Sequence, residues 1–405
     1  MESAQIIFQQ LPATRRTLRV AIVTETYPPE INGVAVTVQR VVEGLRARDH
    51  EIQLVRPRQS RHEHAMTEPR FEEVLRSGLS IPRSENLKMG LPAKQALLRL
   101  WSLDRPDIVH IATEGPLGWS ALAATLKLRI PCSSDFHTNF HSYSKHYGIG
   151  WLRKPIAGYL RRFHNKAQCT LVPTQTMRED LESHGYLNLR VVPRGVDTRL
   201  FSPARRSEAL RQQWGLAPGQ LAALYVGRLA PEKNLAVLIR AFNAMRAKDP
   251  AARLILVGDG PERAALQAQC KDAVFAGMQT GTLLAEHYAS GDVFLFPSAT
   301  ETFGNVTVEA MASGLAVVAY DYAAAGEFIR SGENGLLAER DNTHVFIKLA
   351  AHLAGERTRA CALGISARAT ALSLDWDFVH AEFENALREV IAGNRTERDS
   401  ERLTA

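Results

Sequence analysis

The sequence predicts an α/β protein with two domains of ordinary size. Its 405 residues are 45% hydrophobic and 23% charged, a composition typical of a globular chain long enough for two hydrophobic cores. Short apolar runs of strand length alternate with amphipathic segments of helical length along most of the chain. Such alternation is typical of parallel sheets covered by helices.

The bulk composition narrows the class of partner and the compartment. The net charge of +6 favours an acidic ligand or an anionic surface without deciding between them. The four cysteines are widely spaced and form no C-x-x-C pair, so they indicate neither a zinc site nor a disulfide framework. No segment approaches ~20 uninterrupted apolar residues. We therefore expect a cytoplasmic protein whose membrane contact, if it has one, is peripheral.

The first half of the chain contains repeated strand–loop–helix units. Apolar runs predict strands over 18–24, 50–55, 107–111, 131–136, 169–172 and 190–193. Helices are predicted over 34–48 and 116–128, with a third that Thr174 caps. Residues 1–16 are predicted to be a frayed lead-in, and residues 56–70 a polar, basic loop.

The second half repeats the pattern. Strands are predicted over 222–226, 253–257, 292–296 and 315–320, with a helix over 235–245. A final helix is predicted over 378–392, followed by a charged, disordered tail from residue 394. A glycine-rich turn at 258–261 has Arg263 where a dinucleotide fingerprint needs its third glycine, which argues against a nicotinamide site.

Residues 297–314 form the most informative stretch. They connect two buried strands through a short helix that opens near Gly304 and that Gly314 ends. The free amides and positive dipole end at such a helix start suit a phosphate, and Gly304 lets an anion approach the backbone. Glu301 precedes the helix and Glu309 lies inside it, with Asn305 one turn earlier on the same face.

This stretch resembles the E-x7-E motif of retaining glycosyltransferases of family 4, which have the GT-B architecture. The resemblance implies an α/β fold of two Rossmann-like domains facing a central cleft, with the donor held mostly by the second. In that family the first glutamate, here Glu301, contacts the donor sugar and the second, here Glu309, binds the ribose. The residues expected to bind the donor are Gly33, Phe303, Gly304, Asn305, Val306 and Glu309.

Other segments resemble the same family. The family's G-R-x-x-x-E-K-N pattern places Arg228 and Lys233 beside the leaving diphosphate, and a histidine at a strand end, here His137, beside the donor sugar. The catalytic residues implied by the resemblance are His137, Arg228, Lys233 and Glu301. Residues 194–197 are similar to the family's N-G-V-D step, with Arg194 in place of asparagine.

No metal or other cofactor is expected. Residues 375–377 read Asp-Trp-Asp, but they precede a helix, where an aspartate acts as a cap. Protein cations and helix dipoles are expected to neutralise the diphosphate instead. The resemblance also predicts an acceptor-side domain over 1–195, a donor-binding domain over 196–376, and a helix in 377–405 that crosses back to the first domain.

Residues 137–168 hold six lysines and arginines, interleaved aromatic residues and no acidic residue. This pattern favours an anionic membrane surface or an acidic acceptor, and a solvated face over a core remains an alternative. A nucleic-acid patch is disfavoured because no nucleic-acid motif accompanies the charge. The residues assigned to this acceptor or membrane surface are Lys145, Trp151, Arg153, Lys154, Arg161 and Arg162.

The combined prediction is a retaining, metal-independent hexosyltransferase. Its donor is expected to be GDP-mannose, UDP-glucose or UDP-glucuronate, and its acceptor a membrane lipid such as diacylglycerol or phosphatidylinositol. A soluble or polysaccharide-precursor acceptor is one alternative. A non-catalytic nucleotide-sugar binding protein of the same fold is another. A glycosidase is disfavoured, because its two carboxylates would have to converge on one bond.

Overall fold

The computed structural model describes residues 16–30, 32–60, 62–81, 84–137 and 153–404. Its strands are β1 Arg19–Val23, β2 Glu51–Pro57, β3 Thr67–Glu68, β4 Phe71–Arg76, β5 Gly78–Ile81, β6 Ser84–Gly90, β7 Ile108–Ile111, β8 Cys132–Asp135, β9 Cys169–Val172, β10 Leu189–Val191, β11 Ala222–Val226, β12 Arg253–Val257, β13 Val274–Gly277, β14 Val293–Phe296, β15 Ala316–Tyr320 and β16 Leu336–Ala338.

The helices alternate with these strands. They are α1 Gly33–Ala47, α2 Lys94–Leu103, α3 Pro116–Leu128, α4 Arg153–His164, α5 Gln175–Ser183, α6 Glu208–Gln213, α7 Leu235–Arg246, α8 Arg263–Gln269, α9 Gly281–Ser290, α10 Asn305–Ala312, α11 Ala323–Phe328, α12 Thr343–Gly355, α13 Arg357–Ala371 and α14 Trp376–Thr404. Short 3-10 turns lie at Pro203–Arg205, Pro231–Lys233 and Leu372–Leu374.

Two separate parallel sheets organise the chain. In the described residues the first has the strand order β10-β9-β8-β7-β1-β2-β4-β3, and the second β13-β12-β11-β14-β15-β16. All the pairings in both are parallel except β3 with β4. The central strands are apolar on both faces because helices cover both sides, which is why their sequences are nearly continuous apolar runs. The predicted α/β fold with two Rossmann-like sheets is confirmed.

Helix α14 returns from the second sheet to the first. Its residues Val379, Phe383 and Leu387 recur at helical spacing and pack with Val20 of β1 and Val41 of α1 in one buried cluster. The chain's last helix therefore supplies part of the core beneath the first sheet. The domain limits at residues 195 and 376 stay predictions.

The chain passes between the two sheets twice, near residue 196 and near residue 375, and these two segments contact each other. The backbone N–H of Val196 donates to the carbonyl of Leu374 at 2.9 Å, and the Thr198 hydroxyl donates to Asp375 Oδ2 at 3.1 Å. A Cβ atom at Gly195 would lie 2.7 Å from the Trp376 ring, so the close approach requires glycine. Asp375 Oδ1 accepts from the N–H of Asp377 at 3.0 Å, the capping role expected for this acidic pair.

The structure corrects two of the predictions. Residues 56–70 are not a plain loop, because β2 continues to Pro57 and Arg56 is buried between Glu63 and Glu73. The tail after residue 392 is not disordered, because α14 continues to Thr404. After Gly393 the sequence has neither proline nor glycine, so no residue there interrupts a helix.

Candidate active site

The carboxyl end of β14 leads into the loop that the sequence singles out. Gly304 has φ +90°, a left-handed conformation that favours glycine, and it immediately precedes α10. Helix α10 runs from Asn305 to Ala312 and Gly314 follows it at φ +79°, which confirms the predicted short helix and its glycine stop. The first amides of α10 therefore point out of the helix beside Glu301.

Glu301 and Lys233 contact each other. Lys233 Nζ lies 2.5 Å from Glu301 Oε1, and the Ser298 hydroxyl donates to the same oxygen at 2.6 Å. The side chains of Lys233 and Glu301 are 15% and 16% exposed, so the pair lies just below the surface. The structure thus brings together a cation predicted to bind diphosphate and a carboxylate predicted to bind sugar.

Arg228 lies on the same connection as Lys233. Its side chain is 55% exposed, and Nη1 is 3.5 Å from Glu232 Oε1, which is buried. The Tyr225 hydroxyl donates to the Arg228 carbonyl at 3.0 Å and fixes the backbone of the turn. Arg228 therefore presents a largely solvated guanidinium from a fixed backbone.

Glu309 of α10 lies beside Tyr288 of α9. The Tyr288 hydroxyl donates to Glu309 Oε2 at 2.9 Å. Burial raises the pKa of Glu309 to about 7, and the tyrosine hydrogen bond opposes that rise. The two predicted glutamates thus have different surroundings: Glu301 is paired with a cation, whereas Glu309 is held by a neutral donor.

Phe303 and Val306 contribute mainly apolar contacts. Phe303 is buried, and its ring meets Phe328 with centroids 6.0 Å apart. Val306 packs partly buried against the same core. Side-chain packing thus anchors the segment, while the predicted diphosphate contacts fall to its backbone amides.

Gly33 approaches this site from the first sheet. It begins α1, whose cap is Asn32, and a Cβ atom at position 33 would lie 3.8 Å from the side-chain nitrogen of Asn305. Gly33 and Asn305, two predicted donor-binding residues from the two halves of the chain, therefore lie next to each other. Their roles toward a nucleotide stay predictions.

His137 lies just after β8, and its backbone carbonyl contacts the loop that carries Glu301. The Thr302 hydroxyl donates to the His137 carbonyl at 2.8 Å. The imidazole is turned inward: Nε2 is 3.1 Å from Asp135 Oδ2, and Nδ1 is 3.1 Å from Arg194 Nη2. Both ring nitrogens thus face protein groups, and the predicted contact with the donor sugar stays a prediction.

Several residues of the site were missed by sequence reasoning. Arg340 lies beyond β16, stacks 4.0 Å above the Tyr322 ring and donates to the carbonyl of Ala299 at 2.7 Å, so it holds the loop that carries Glu301. Its position just past a strand's carboxyl end was the available signal. Ser298 lies within the stretch 297–314, but its hydrogen bond to Glu301 was not predicted.

Glu327 connects the two sides at a second point. Its Oε2 accepts from the backbone N–H of Gln175, the first residue of α5, at 3.2 Å. A carboxylate at a helix start is favourable because the amides there are free and the dipole end is positive. Glu327 of α11 thus makes a contact between the second half of the chain and α5 of the first half.

The basic stretch is described only from residue 153 onward. In α4 the side chains of Lys154, Arg161 and Arg162 are exposed at helical spacing, whereas Phe163 is buried. Arg161 Nη1 also donates to the carbonyl of His184 at 3.0 Å. Lys145, Trp151 and the side chain of Arg153 lie outside the described residues.

The described ranges contain no group of three or more His, Cys, Asp or Glu side chains placed to hold a metal ion. Within the same part of the chain, no helix has both the length and the apolar character needed to span a bilayer.

Known proteins share both halves of this chain. Residues 31–200 match the family described as Glycosyltransferase Family 4, and residues 220–355 match Glycosyl transferases group 1. A GDP-mannose-dependent alpha-mannosyltransferase of Mycobacterium tuberculosis is 35% identical over 94% of this chain and 98% of its own. An alpha-monoglucosyldiacylglycerol synthase of Acholeplasma laidlawii is 29% identical over 80% of this chain and 85% of its own.

A solved structure shares the fold. Sucrose-phosphate synthase from Thermosynechococcus elongatus superposes with a TM-score of 0.75 at 18% identity, over 92% of this chain and 99% of its own. Fold and site together define a nucleotide-sugar glycosyltransferase with the GT-B architecture. The chain belongs to glycosyltransferase family 4.

Proposed function

We propose that this protein is a retaining hexosyltransferase that transfers mannose from GDP-mannose to a hydroxyl group of a membrane lipid. The observation that carries the proposal is the Lys233–Glu301 pair at the entrance to α10. A cation and a carboxylate at the start of a helix match the two halves of a nucleotide-diphosphate sugar. One half is anionic and the other carries hydroxyls.

In this proposal the donor separates the pair. The diphosphate takes Lys233, Arg228 and the first amides of α10, and Glu301 is released to accept hydrogen bonds from the sugar. As the bond between C1 of the sugar and the phosphate oxygen breaks, these cations stabilise the negative charge that develops on the leaving group. The acceptor hydroxyl oxygen bonds to C1 from the same face and its proton passes to the departing phosphate oxygen, so the anomeric configuration is retained without a protein nucleophile.

GDP-mannose is proposed first because the mycobacterial relative, which aligns with nearly the whole chain, is named for that donor. UDP-glucose and UDP-glucuronate remain the alternatives. The test is thermal unfolding with each nucleotide sugar, since a ligand that binds only the folded state raises the melting temperature. We expect GDP-mannose to give the largest shift and to support transfer with an α-linked product. A larger shift with a uridine donor, or a β-linked product, would contradict the proposal.

The lipid acceptor is supported by helix α4 and by the acholeplasmal relative, whose name includes diacylglycerol. The first turn of α4 holds no acidic residue, and its exposed Lys154, Arg161 and Arg162 project at helical spacing. Each cation near an anionic leaflet contributes about 1 kcal/mol to binding. We propose that the protein docks peripherally on the cytoplasmic face of the cell membrane.

Co-sedimentation with liposomes tests this docking. A variant with Arg153, Lys154, Arg161 and Arg162 changed to Gln should lose binding to anionic liposomes and keep its affinity for the nucleotide. Binding by the wild type should weaken at high salt, because the Debye length falls from ~10 Å at 0.1 M to ~3 Å at 1 M. If the variant binds as the wild type does, α4 is a solvated face and a soluble or polysaccharide-precursor acceptor becomes the better proposal.

Metal independence is part of the proposal. Arg228 and Lys233 supply the positive charge that a divalent ion provides in other transferases, so turnover should persist in excess EDTA. Loss of turnover in chelator, restored by Mg²⁺ or Mn²⁺, would require a metal site. If GDP-mannose binds and no acceptor is ever modified, the alternative of a non-catalytic nucleotide-sugar binding protein would take its place.

A further inference from the structure

Arg194 is a buried arginine where the chain first leaves the first sheet. Its side chain is 6% exposed, and it contacts two residues at the end of β8. Nη1 lies 3.3 Å from Asp135 Oδ2, and Nη2 lies 3.1 Å from His137 Nδ1. One guanidinium therefore contacts both an aspartate and a histidine that are two residues apart at the end of β8.

This contact fixes the protonation pattern of the imidazole. A guanidinium has only donors, so Nδ1 of His137 must act as the acceptor and carries no proton. A neutral ring then has its hydrogen on Nε2, which lies 3.1 Å from Asp135 Oδ2. Nε2 is close to Asp135 but makes no well-aligned hydrogen bond with it, so the contact of Arg194 with Nδ1 is what selects one of the two tautomers.

The surrounding charges favour the neutral ring. The groups that face this cluster are Asp135 on β8, His110 on β7, His164 on α4 and Arg194 itself. Burial, reinforced by Arg194, lowers the pKa of His137. Burial acts to raise the pKa of Asp135, but the charge of the Arg194 guanidinium outweighs it and holds that pKa well below its usual range.

The backbone of Arg194 is fixed by the crossing between the two sheets. The next residue, Gly195, lies against the Trp376 ring, and Val196 bonds to the second crossing through the Leu374 carbonyl. Arg194 therefore lies directly beside the crossing, and its guanidinium connects that crossing to the end of β8.

We propose that Arg194 is a positioning residue that fixes His137 in its neutral, Nε2-protonated form and ties it to the crossing between the domains. Its catalytic consequence rests on the proposed donor-site role of His137, whereas the tautomer and orientation do not. The family's usual asparagine at this step carries no charge, so the arrangement belongs to the arginine found here.

The test is nitrogen NMR of the full-length protein labelled at histidine, which has 13 such residues. A His137→Gln variant identifies the resonance. In the wild type, the His137 signals should show a protonated Nε2 and no titration over about pH 5.5–8.5, the range around the ordinary histidine pKa. In Arg194→Gln, the ring should gain a proton as the pH falls, because Asp135 remains beside it without the competing cation.

Two further variants separate charge from geometry. Arg194→Lys keeps the positive charge but not the fork, so the ring should stay neutral while the tautomers mix. Arg190→Gln is the matched control, since it removes a guanidinium that pairs with Glu382 and Glu389 on α14. It should leave the His137 signals unchanged. Thermal unfolding of each variant shows whether it is folded.

Activity gives a second, separable readout. If His137 serves the donor site, Arg194→Gln should lose about 10²-fold in kcat/KM, as expected for a misplaced group, and more at acidic pH. Signals of His137 that are identical in wild type and Arg194→Gln would overturn the inference whatever the activity. Altered signals with unchanged kcat/KM would support the positioning and overturn the proposed role of His137.

Discussion

The charged cluster that follows the strands of the second sheet differs in burial and in number of contacts from the one at the end of β8. On the donor side, Lys233 and Glu301 are 15% and 16% exposed and make one direct contact. In the first half, Asp135 and Arg194 are 3% and 6% exposed, contact each other directly at 3.3 Å and both contact His137. Separating an ion pair near the surface costs little free energy, because water solvates both charges. Removing one partner of a buried pair costs much more, because the other charge is left buried and unpaired. The first cluster is therefore suited to exchange its partner for a ligand, and the second to stay unchanged.

The largest expected effect is on folding stability. Asp135→Ala leaves the buried Arg194 without its carboxylate, which should lower the free energy of unfolding by about 3–5 kcal/mol. The same truncation at Glu301 should cost less than about 1 kcal/mol, because the pair there is partly solvated. Urea unfolding of both variants measures the difference. Equal losses would show that the two clusters do not differ in the way their burial indicates.

The next largest effect is on turnover, and it belongs to the donor side. Lys233→Ala should lower kcat by about 10²–10³-fold, as for removal of one donor to a developing oxyanion, with its melting temperature nearly unchanged. Lys248→Ala, at an exposed position after α7, is the matched control. A Lys233→Ala enzyme that turns over as fast as the control would remove Lys233 from the diphosphate site.

A smaller effect is expected at the link between the clusters. Thr302→Val removes the hydroxyl that donates to the His137 carbonyl, and a hydrogen bond of this kind contributes about 0.5–1.5 kcal/mol. The donor kcat/KM should fall by about 2–10-fold. Thr302→Ser keeps the hydroxyl and should restore the value. If Ser and Val behave alike, the interdomain hydrogen bond does not contribute to donor use.

A separate effect concerns the pH dependence of stability. The pKa of Glu309 is raised by burial from 4.5 to about 7, so the folded state holds this proton more tightly than the unfolded state. Its stabilising contribution is complete below about pH 4.5 and is lost as the pH rises through about 7. Glu309→Gln removes this dependence.

The melting temperature of Glu309→Gln, compared with wild type, should therefore gain about 2–4 °C between pH 5 and pH 8. Glu333→Gln, an exposed glutamate, is the control and should show no such trend. A constant difference between Glu309→Gln and wild type at all pH values would mean that Glu309 is ionised throughout.

Local pattern was sufficient for four of the six strands of the second sheet, whereas its two edge strands, β13 and β16, were not predicted. Strands β11 and β12 occupy the predicted residues 222–226 and 253–257, and α10 ends at Ala312, two residues before the predicted glycine. These strands are buried on both faces, so their sequences are continuous apolar runs that period and propensity identify. The loop at Glu301 was predictable for the same reason, because a strand and a glycine-bounded helix frame it.

The rest depended on pairings that no local pattern contains. Strand β4, near the sheet edge, is neither a continuous apolar run nor a strict alternation, because it reads Phe-Glu-Glu-Val-Leu-Arg. Arg56 is typical of an exposed loop until its buried contacts with Glu63 and Glu73 are known. The contact between Arg194 and His137 joins residues 57 positions apart. Sequence reasoning noticed the arginine but had no means to find its partners.

The return of α14 has a consequence for biosynthesis. A nascent chain that has been synthesised as far as residue 375 already contains every strand of both sheets described here. The apolar surface around Val20 and Val41 nevertheless stays uncovered until Phe383 and Leu387 are added. The second sheet can thus bury its core first, and the sheet that is translated first is completed last. Truncation near the carboxyl terminus would therefore damage the amino-terminal half of the molecule.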